Sequence, residues 1–232
     1  MTAERVVIVG AGGHAREVMH ILLACRQVGM DIEPLGFLDE ASWPEGAVLE
    51  GLPVLGDLRW FERAGRPAPK AICAVGTPFD CRLLAERVRA LGVEFGSAVS
   101  PSAWVAASAR IGEGSMVFPN TIVSAGAMIG DHVSLNVAAT VSHDTVVGSF
   151  SGVGPGAHLA GNVTLGQGCF VGMGANVLQG VSVGDWSVIG AGAAVLDDVA
   201  AGVTVAGIPA RVIGPASRAP LCGRRPSGVL RS

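Results

Sequence analysis

The chain predicts a Rossmann-like α/β unit followed by a parallel β-helix, and three observations predict it. Residues 1 to about 98 alternate strand-like and helix-like segments. From Val99 an aliphatic residue recurs at every sixth position. The 34 glycines and the absence of tyrosine among 232 residues mark a repetitive, backbone-dominated architecture.

The first half follows in order. RVVIVG from Arg5 has the apolar run of a buried strand, and AREVMHILLACRQVG from Ala15 has apolar residues at helical spacing. EPLGFLD is a second strand, LRWFERAG a short helix, KAICAVG a third strand and FDCRLLAERVRALG a last helix. Three strands are too few for a complete six-stranded dinucleotide fold, so the expected unit is a truncated doubly wound domain with a mainly parallel sheet.

In the second half, stepping by six from Val99 to Val195 meets Val, Ile or Leu at all seventeen positions. Four residues after each stands a small or β-branched residue, or Cys169, and glycine often follows the aliphatic position directly. A period of six matches neither the 3.6 residues of a helix turn nor a hairpin meander. It is the hexapeptide repeat of β-helices, with the aliphatic side chain pointing into a narrow column. If three hexads close a triangular coil, residues eighteen apart stack, and seventeen hexads make a little under six coils. The expected division is residues 1–98, residues 99–213, and a flexible tail of residues 214–232 carrying four arginines and no acid.

Composition excludes several classes. Half the residues are hydrophobic and 15% are charged, too apolar for a disordered chain. The longest apolar stretch, VMHILLAC, falls well short of the roughly 18 residues of a membrane span, so a soluble protein is expected. A net charge of −3 gives no electrostatic argument for nucleic acid. Five cysteines without a C-x-x-C pair indicate neither a disulfide framework nor a zinc knuckle, and MTAERVVIVG has none of the features of a signal peptide. A cytoplasmic location is expected.

The chemistry-bearing candidates are few. GAGGHA places Gly10, Gly12 and Ala15 at G-x-G-x-x-A spacing between the first strand and first helix, where backbone amides can approach a diphosphate; a merely tight connection has the same look. Gly13 and His14 belong to that loop. Asp39, 24 residues after Ala15, stands where a ribose- or base-binding acid would sit, or is a turn acid in LDEASWPEG. Gly76, Thr77 and Arg82 mark the exit of the third strand, also a ligand edge.

Within the repeats His143 is followed by Asp144 outside the inward positions, the usual form of a general base with an adjacent carboxylate; a surface pair is the bland alternative. Residue 161, eighteen further on, is glycine and residue 125 is alanine, so His143 would face a groove of small residues, with the Gly161 N–H near an oxyanion. His158 is expected at the neighbouring corner as a partner of the base or a plain corner residue. His132 is expected to be structural. Asn136 either orients a polar substrate group or forms a turn. Cys169 occupies an inward position and is expected to pack rather than react.

These segments together, VIVGAGGHA, FLDE, AVGTPFDCR, LNVAATVSHDTVVG, PGAHLAGNVTLG and VAGIPARVI, resemble the hexapeptide-repeat sugar acetyltransferase family. That family includes the nucleotide-aminosugar N-acetyltransferases of bacillosamine and perosamine pathways and sialic acid O-acetyltransferases. The resemblance spans about residues 5–213. It implies a left-handed β-helix, a homotrimer, and an acetyl-CoA site between neighbouring subunits. It further implies that GAGGHA and Asp39 hold the UDP or GDP part of an amino sugar, that His143 is the base with Asp144 its acid, and that Gly161, His158, Gly152, Met173 and Ala191 line the cofactor, without a metal. Gly152 departs from the pattern, since many members carry a second histidine there. A sugar O-acetyltransferase is the close alternative. A zinc hydratase, an NAD-dependent oxidoreductase and a non-catalytic scaffold are more remote.

Overall fold

The computed structural model describes residues 3–40, 43–65 and 67–216. Strand β1 (Glu4–Val9) lies between β2 (Ile32–Leu38) and, on its other side, the strand Lys70–Cys73, all parallel. Helix α1 (Gly13–Gln27) connects β1 to β2. A two-stranded hairpin, β3 (Val48–Leu49) with β4 (Leu52–Pro53), and the one-turn helix α2 (Trp60–Arg63) precede Lys70–Cys73, which is β5. Helix α3 (Pro78–Ala90) follows, started by the Thr77 side chain accepting from the Asp80 N–H. The period-two alternation of RVVIVG divides its burial: Val6 and Ile8 pack on α1, Val7 and Val9 on α2 and α3. The hairpin had no counterpart in the sequence reading, where its four strand residues fell between stronger signals.

The repeats form a three-faced parallel solenoid. The first face stacks Ala98–Val99 through Val188–Ile189, the second Trp104–Val105 through Ala194–Val195, and the third Arg110–Ile111 through Ser182–Val183. Pairing joins residues eighteen apart, as in Thr140 with His158 and Leu135 with Val153, so the triangular stacking expected from the period is present. At the end the stagger shortens to sixteen, with Ile189 opposite Val205 and Val183 opposite Val199, before Val203–Ala206 turns back on Arg211–Pro215. That last strand runs two residues past the expected start of the tail; residues 217–232 lie outside the described residues.

Two features hold the coils in register. The aliphatic positions from Val117 to Val195 are all buried in one continuous column, each contributing about 1.5–3 kcal/mol. The small inward position stitches coils when it is a hydroxyl: Ser151 Oγ donates to the Gly166 carbonyl and accepts from the Cys169 N–H, and Thr145 does the same with Ala160 and Val163. The third residue after each aliphatic adopts positive φ at every corner from Gly114 to Gly192. Glycine occupies half of those fourteen corners and Asn or Asp three more, the residues that tolerate this conformation best.

The α/β unit covers the first face. Met116, Phe118 and Ala98 of the coils share a core with α1. At the junction His132, 2% exposed, stacks on Phe150 at 5.1 Å and meets the edge of Phe95 at 4.4 Å, so it packs structurally, as expected. Among the described residues no helix is long and apolar enough to cross a membrane.

Candidate active site

His143 and Asp144 stand at the corner between the second and third faces. The His143 Nδ1 lies 3.0 Å from an Asp144 carboxylate oxygen, and both side chains are more than half exposed. Asp144 takes φ +57°, which aspartate accepts at such a corner. The dyad is fitted into its place by two glycines. A Cβ on Gly161 would lie 2.5 Å from His143 Nε2, and one on Gly126 would lie 2.5 Å from Asp144 Oδ1, so the imidazole rests on one glycine and the carboxylate on the other. Stacking by eighteen pointed to Gly161; Gly126, eighteen before Asp144, was legible by the same arithmetic and was not drawn. Thr145 ties the corner by donating to the Ala160 carbonyl at 2.8 Å. The Gly161 carbonyl accepts from Gly180, whereas among the described residues the Gly161 N–H makes no backbone hydrogen bond between coils. An imidazole oriented through Nδ1 by a carboxylate leaves Nε2 available to accept a proton.

His158 departs from its expected position. It precedes the inward Leu159 and therefore lies in a strand of the flat second face, not at a corner, with Nδ1 2.9 Å from Thr140 Oγ1. It lines a cavity of about 350 Å³ with Ser142, Ala160 and Asn176. Asn136 follows Leu135 into the next corner, where its Oδ1 accepts from the Val137 N–H at 2.7 Å, the turn use rather than a free polar group.

The Gly-rich loop sits over the first face. Gly10 has φ +112°, and a Cβ there would come within 2.9 Å of the Ala74 carbonyl, so only glycine lets β1 leave the sheet beside the end of β5. Gly12 starts α1 in extended conformation without a side-chain cap, leaving the amides of the first turn, Gly13 and His14 included, directed at the loop. The His14 ring stacks on Phe118 at 5.1 Å, its Nε2 lies 3.5 Å from Ser134 Oγ, and burial lowers its pKa to about 4. It is therefore a neutral hydrogen-bonding group at neutral pH. Asp39 directly follows β2 at the same carboxyl edge, its N–H donating to the Gly56 carbonyl. In the strand order β2-β1-β5 this edge, between β1 and β5, is where the winding direction reverses and where such sheets take ligands.

Gly76 and Arg82 do not line up with that loop alone. With Met173 and Ala191 they border a cavity of about 980 Å³ between α3 and the lower first face. Gly152 lies just above it: Phe170, on the next coil, would be 3.2 Å from a Cβ at Gly152 and itself lines the cavity. Phe79 and Trp186 also line the cavity; the sequence reading singled out neither, although Phe79 lies within the AVGTPFDCR segment, and Trp186 belongs to no motif. Cys169 is fully buried, bonded to the Gly184 carbonyl, and its thiol is pushed up to about 11, which keeps it inert.

Comparison with known proteins follows this division. Residues 5–88 match the family model of the PglD N-terminal domain, and residues 162–197 match that of the bacterial transferase hexapeptide repeat. No curated protein sequence matches significantly. Among solved structures, the acetyltransferase domain of PglB from Neisseria gonorrhoeae in complex with acetyl coenzyme A is 36% identical, with a TM-score of 0.83, covering 91% of this chain and 100% of that one. PerB from Caulobacter crescentus, in complex with CoA and GDP-perosamine, is 35% identical with a TM-score of 0.82 over 90% of this chain and 97% of its own. WeeI from Acinetobacter baumannii is 28% identical with a TM-score of 0.78 over 90% and 99%. With its two family models in the same order and 36% identity over nine-tenths of its length to an acetyltransferase domain, the chain belongs to the hexapeptide-repeat sugar acetyltransferase family and is an acetyltransferase.

Proposed function

We propose that the protein transfers the acetyl group of acetyl-CoA to the amino group of a nucleotide-linked amino sugar of the 4-amino-4,6-dideoxy type. The observation that carries this reading is the His143–Asp144 pair held at 3.0 Å over Gly161. The relatives bound to acetyl coenzyme A and to GDP-perosamine support the pairing of substrates. Residues 1–98 would hold the sugar nucleotide, with Gly10, Gly12, Gly13 and His14 at its diphosphate and Asp39 at its ribose or base. Residues 99–213 would carry the transfer.

In the proposed step the sugar nitrogen attacks the thioester carbonyl, His143 Nε2 accepts the nitrogen's proton, and Asp144 stabilises the imidazolium as it forms. The Gly161 N–H is directed to the carbonyl oxygen as negative charge develops. The CoA thiolate then leaves and is protonated, with no covalent enzyme intermediate. Close packing of both substrates supplies the orientation term.

A second copy of the chain completes this site. The dyad corner joins the second and third faces, whereas the Gly-rich loop lies over the first, so within one chain the base and the nucleotide loop are on opposite sides of the solenoid. We therefore place the active site between subunits of a homotrimer, working in the cytoplasm where acetyl-CoA is available. The test is thiol release from acetyl-CoA with UDP- and GDP-linked 4-amino sugars and matched hydroxyl sugars, with the product identified by mass and amide signals. An amide product supports the reading. Ester products alone move the protein to O-acetyl transfer, and silence across the panel overturns both.

A further inference from the structure

Between the Gly-rich loop and the cavity beneath α3, the first face runs as a short open strip. Its outward residues, one per coil, are Met116, Ser134, Gly152 and Phe170, paired in that order. Met116 is buried against α1, and Phe170 borders the cavity. Ser134 and Gly152 are half-buried between them, and of the two only Ser134 carries a polar side chain. Its Oγ lies 3.5 Å from Nε2 of His14, whose ring is fixed by stacking on Phe118 at 5.1 Å. The His14 amide belongs to the first turn of α1, whereas its side chain turns onto the coils. The Glu17 carboxylate, 4.0 Å from Nδ1, favours the hydrogen on that nitrogen, so Nε2 accepts from the Ser134 hydroxyl. Enclosure of the ring keeps it neutral down to about pH 4, so the acceptor persists across the working range. A serine whose proton is committed to a fixed acceptor presents only lone pairs to a ligand.

Resting on the proposed function, we infer that Ser134, oriented by His14, accepts a hydrogen bond from the sugar hydroxyl on the carbon next to the reacting amine and so selects the sugar. The His14 side chain itself spans from the first turn of α1 to Ser134, so a hexose joined to a diphosphate at that turn lies alongside it. Met173 and Ala191, the residues expected at the cofactor, border the cavity at the other end of the strip. The two substrates therefore meet over Ser134 and Gly152. Attack aligns the amine lone pair with the thioester carbon and one N–H with the base, and a hydroxyl on the adjacent carbon flanks that line. Every amino sugar brings the amine, so discrimination between sugars falls to this hydroxyl. Ser134 is then a specificity residue that touches substrate, and His14 is its positioning residue.

Thiol release with a nucleotide-linked 4-amino sugar and with the analogue lacking its 3-hydroxyl, measured on wild type and Ser134→Ala, tests this. The wild type is expected to favour the hydroxylated sugar in kcat/KM by about 10-fold, the scale of one net hydrogen bond. Ser134→Ala is expected to shrink that preference to about 2-fold or less and to leave the KM for acetyl-CoA unchanged. Ser134→Cys, close in size with a weak acceptor, should lose the preference too. His14→Phe, which can keep the ring stack but removes the acceptor, should reduce it in the same direction. Thermal unfolding checks that each variant is folded; a purely structural role would slow both sugars alike and keep the preference. Equal use of the two sugars by the wild type, or an undiminished preference in the folded Ser134 variants, overturns the assignment alone. A wild type that acetylates neither sugar overturns it together with the amino-sugar reading.

Discussion

Replacing Gly161 by alanine perturbs the proposed base without touching its chemistry. The new Cβ would lie 2.5 Å from His143 Nε2, 2.6 Å from Cε1 and 3.1 Å from Cδ2. Relaxed carbon contacts need about 3.5 Å, so the ring must retreat by about 1 Å. Its retreat is restricted on the other side by the 3.0 Å bond to Asp144, which is itself seated on Gly126. A misplacement of about 1 Å costs about 100-fold in rate when orientation is part of catalysis. Gly161→Ala is therefore expected to lower kcat in the thiol-release assay by about 100-fold. Gly161 is buried only beneath the exposed His143 ring, and the inward column is untouched, so the unfolding midpoint should move by only about 2 °C or less. Turnover within about 3-fold of wild type, in a folded protein, would mean that the ring is not held where the structure places it or is not the base.

Three further outcomes follow from single features. Below the ordinary histidine pKa of 6.5 the unfolded chain takes up a proton that buried His14 refuses until about pH 4, so stability present above pH 6.5 is lost as pH falls toward 4. The loss at pH 4.5 is about 2.5 kcal/mol, and urea midpoints of wild type and His14→Gln at pH 7 and 4.5 should differ by that pH-dependent part, a parallel decline in both refuting it. Among the described residues the two buried ring nitrogens of His132 have no hydrogen-bond partner, and Phe150 occupies the equivalent corner one coil later with the same backbone conformation, so His132→Phe should stabilise the protein by about 1 kcal/mol or more; a lowered midpoint would contradict this. Mixing subunits of His143→Ala with those of a nucleotide-loop variant, Gly12→Asp, should restore activity to about a quarter of wild type if each site draws on two copies of a symmetric ring, and to none if each chain holds a complete site.

The architecture was legible because its signals are periodic. Seventeen aliphatic residues at a spacing of six leave one arrangement in which all face a single column, fourteen of them buried and Val99, Val105 and Ile111 partly so, and the three strands of the first sheet each carry an apolar run. The dyad and its glycine were legible by the same counting, since stacking converts a sequence offset of eighteen into a contact. What escaped the sequence depends on side chains with no periodic partner. His158 is an exception, because it directly precedes the inward Leu159 and the period already put it in a strand, so its expected corner was a misreading of the repeat. The place of Arg82 is set by Phe79 and Trp186, more than a hundred residues apart in sequence and joined only when α3 lies against the first face. The glycines noticed directly after the aliphatic positions serve close stacking of coils, whereas the corner conformation falls on the third residue, where Phe150 and Trp186 hide the pattern.

The most direct test of acetyl transfer through His143 is the rate of thiol release from acetyl-CoA with a nucleotide-linked 4-amino sugar, measured side by side for wild type and His143→Ala at saturating substrates. Loss of the base is expected to lower kcat by about 100-fold or more in a variant that still binds both substrates and unfolds at the wild-type temperature. A folded His143→Ala protein that turns over at the wild-type rate would contradict the assignment of this imidazole as the proton acceptor.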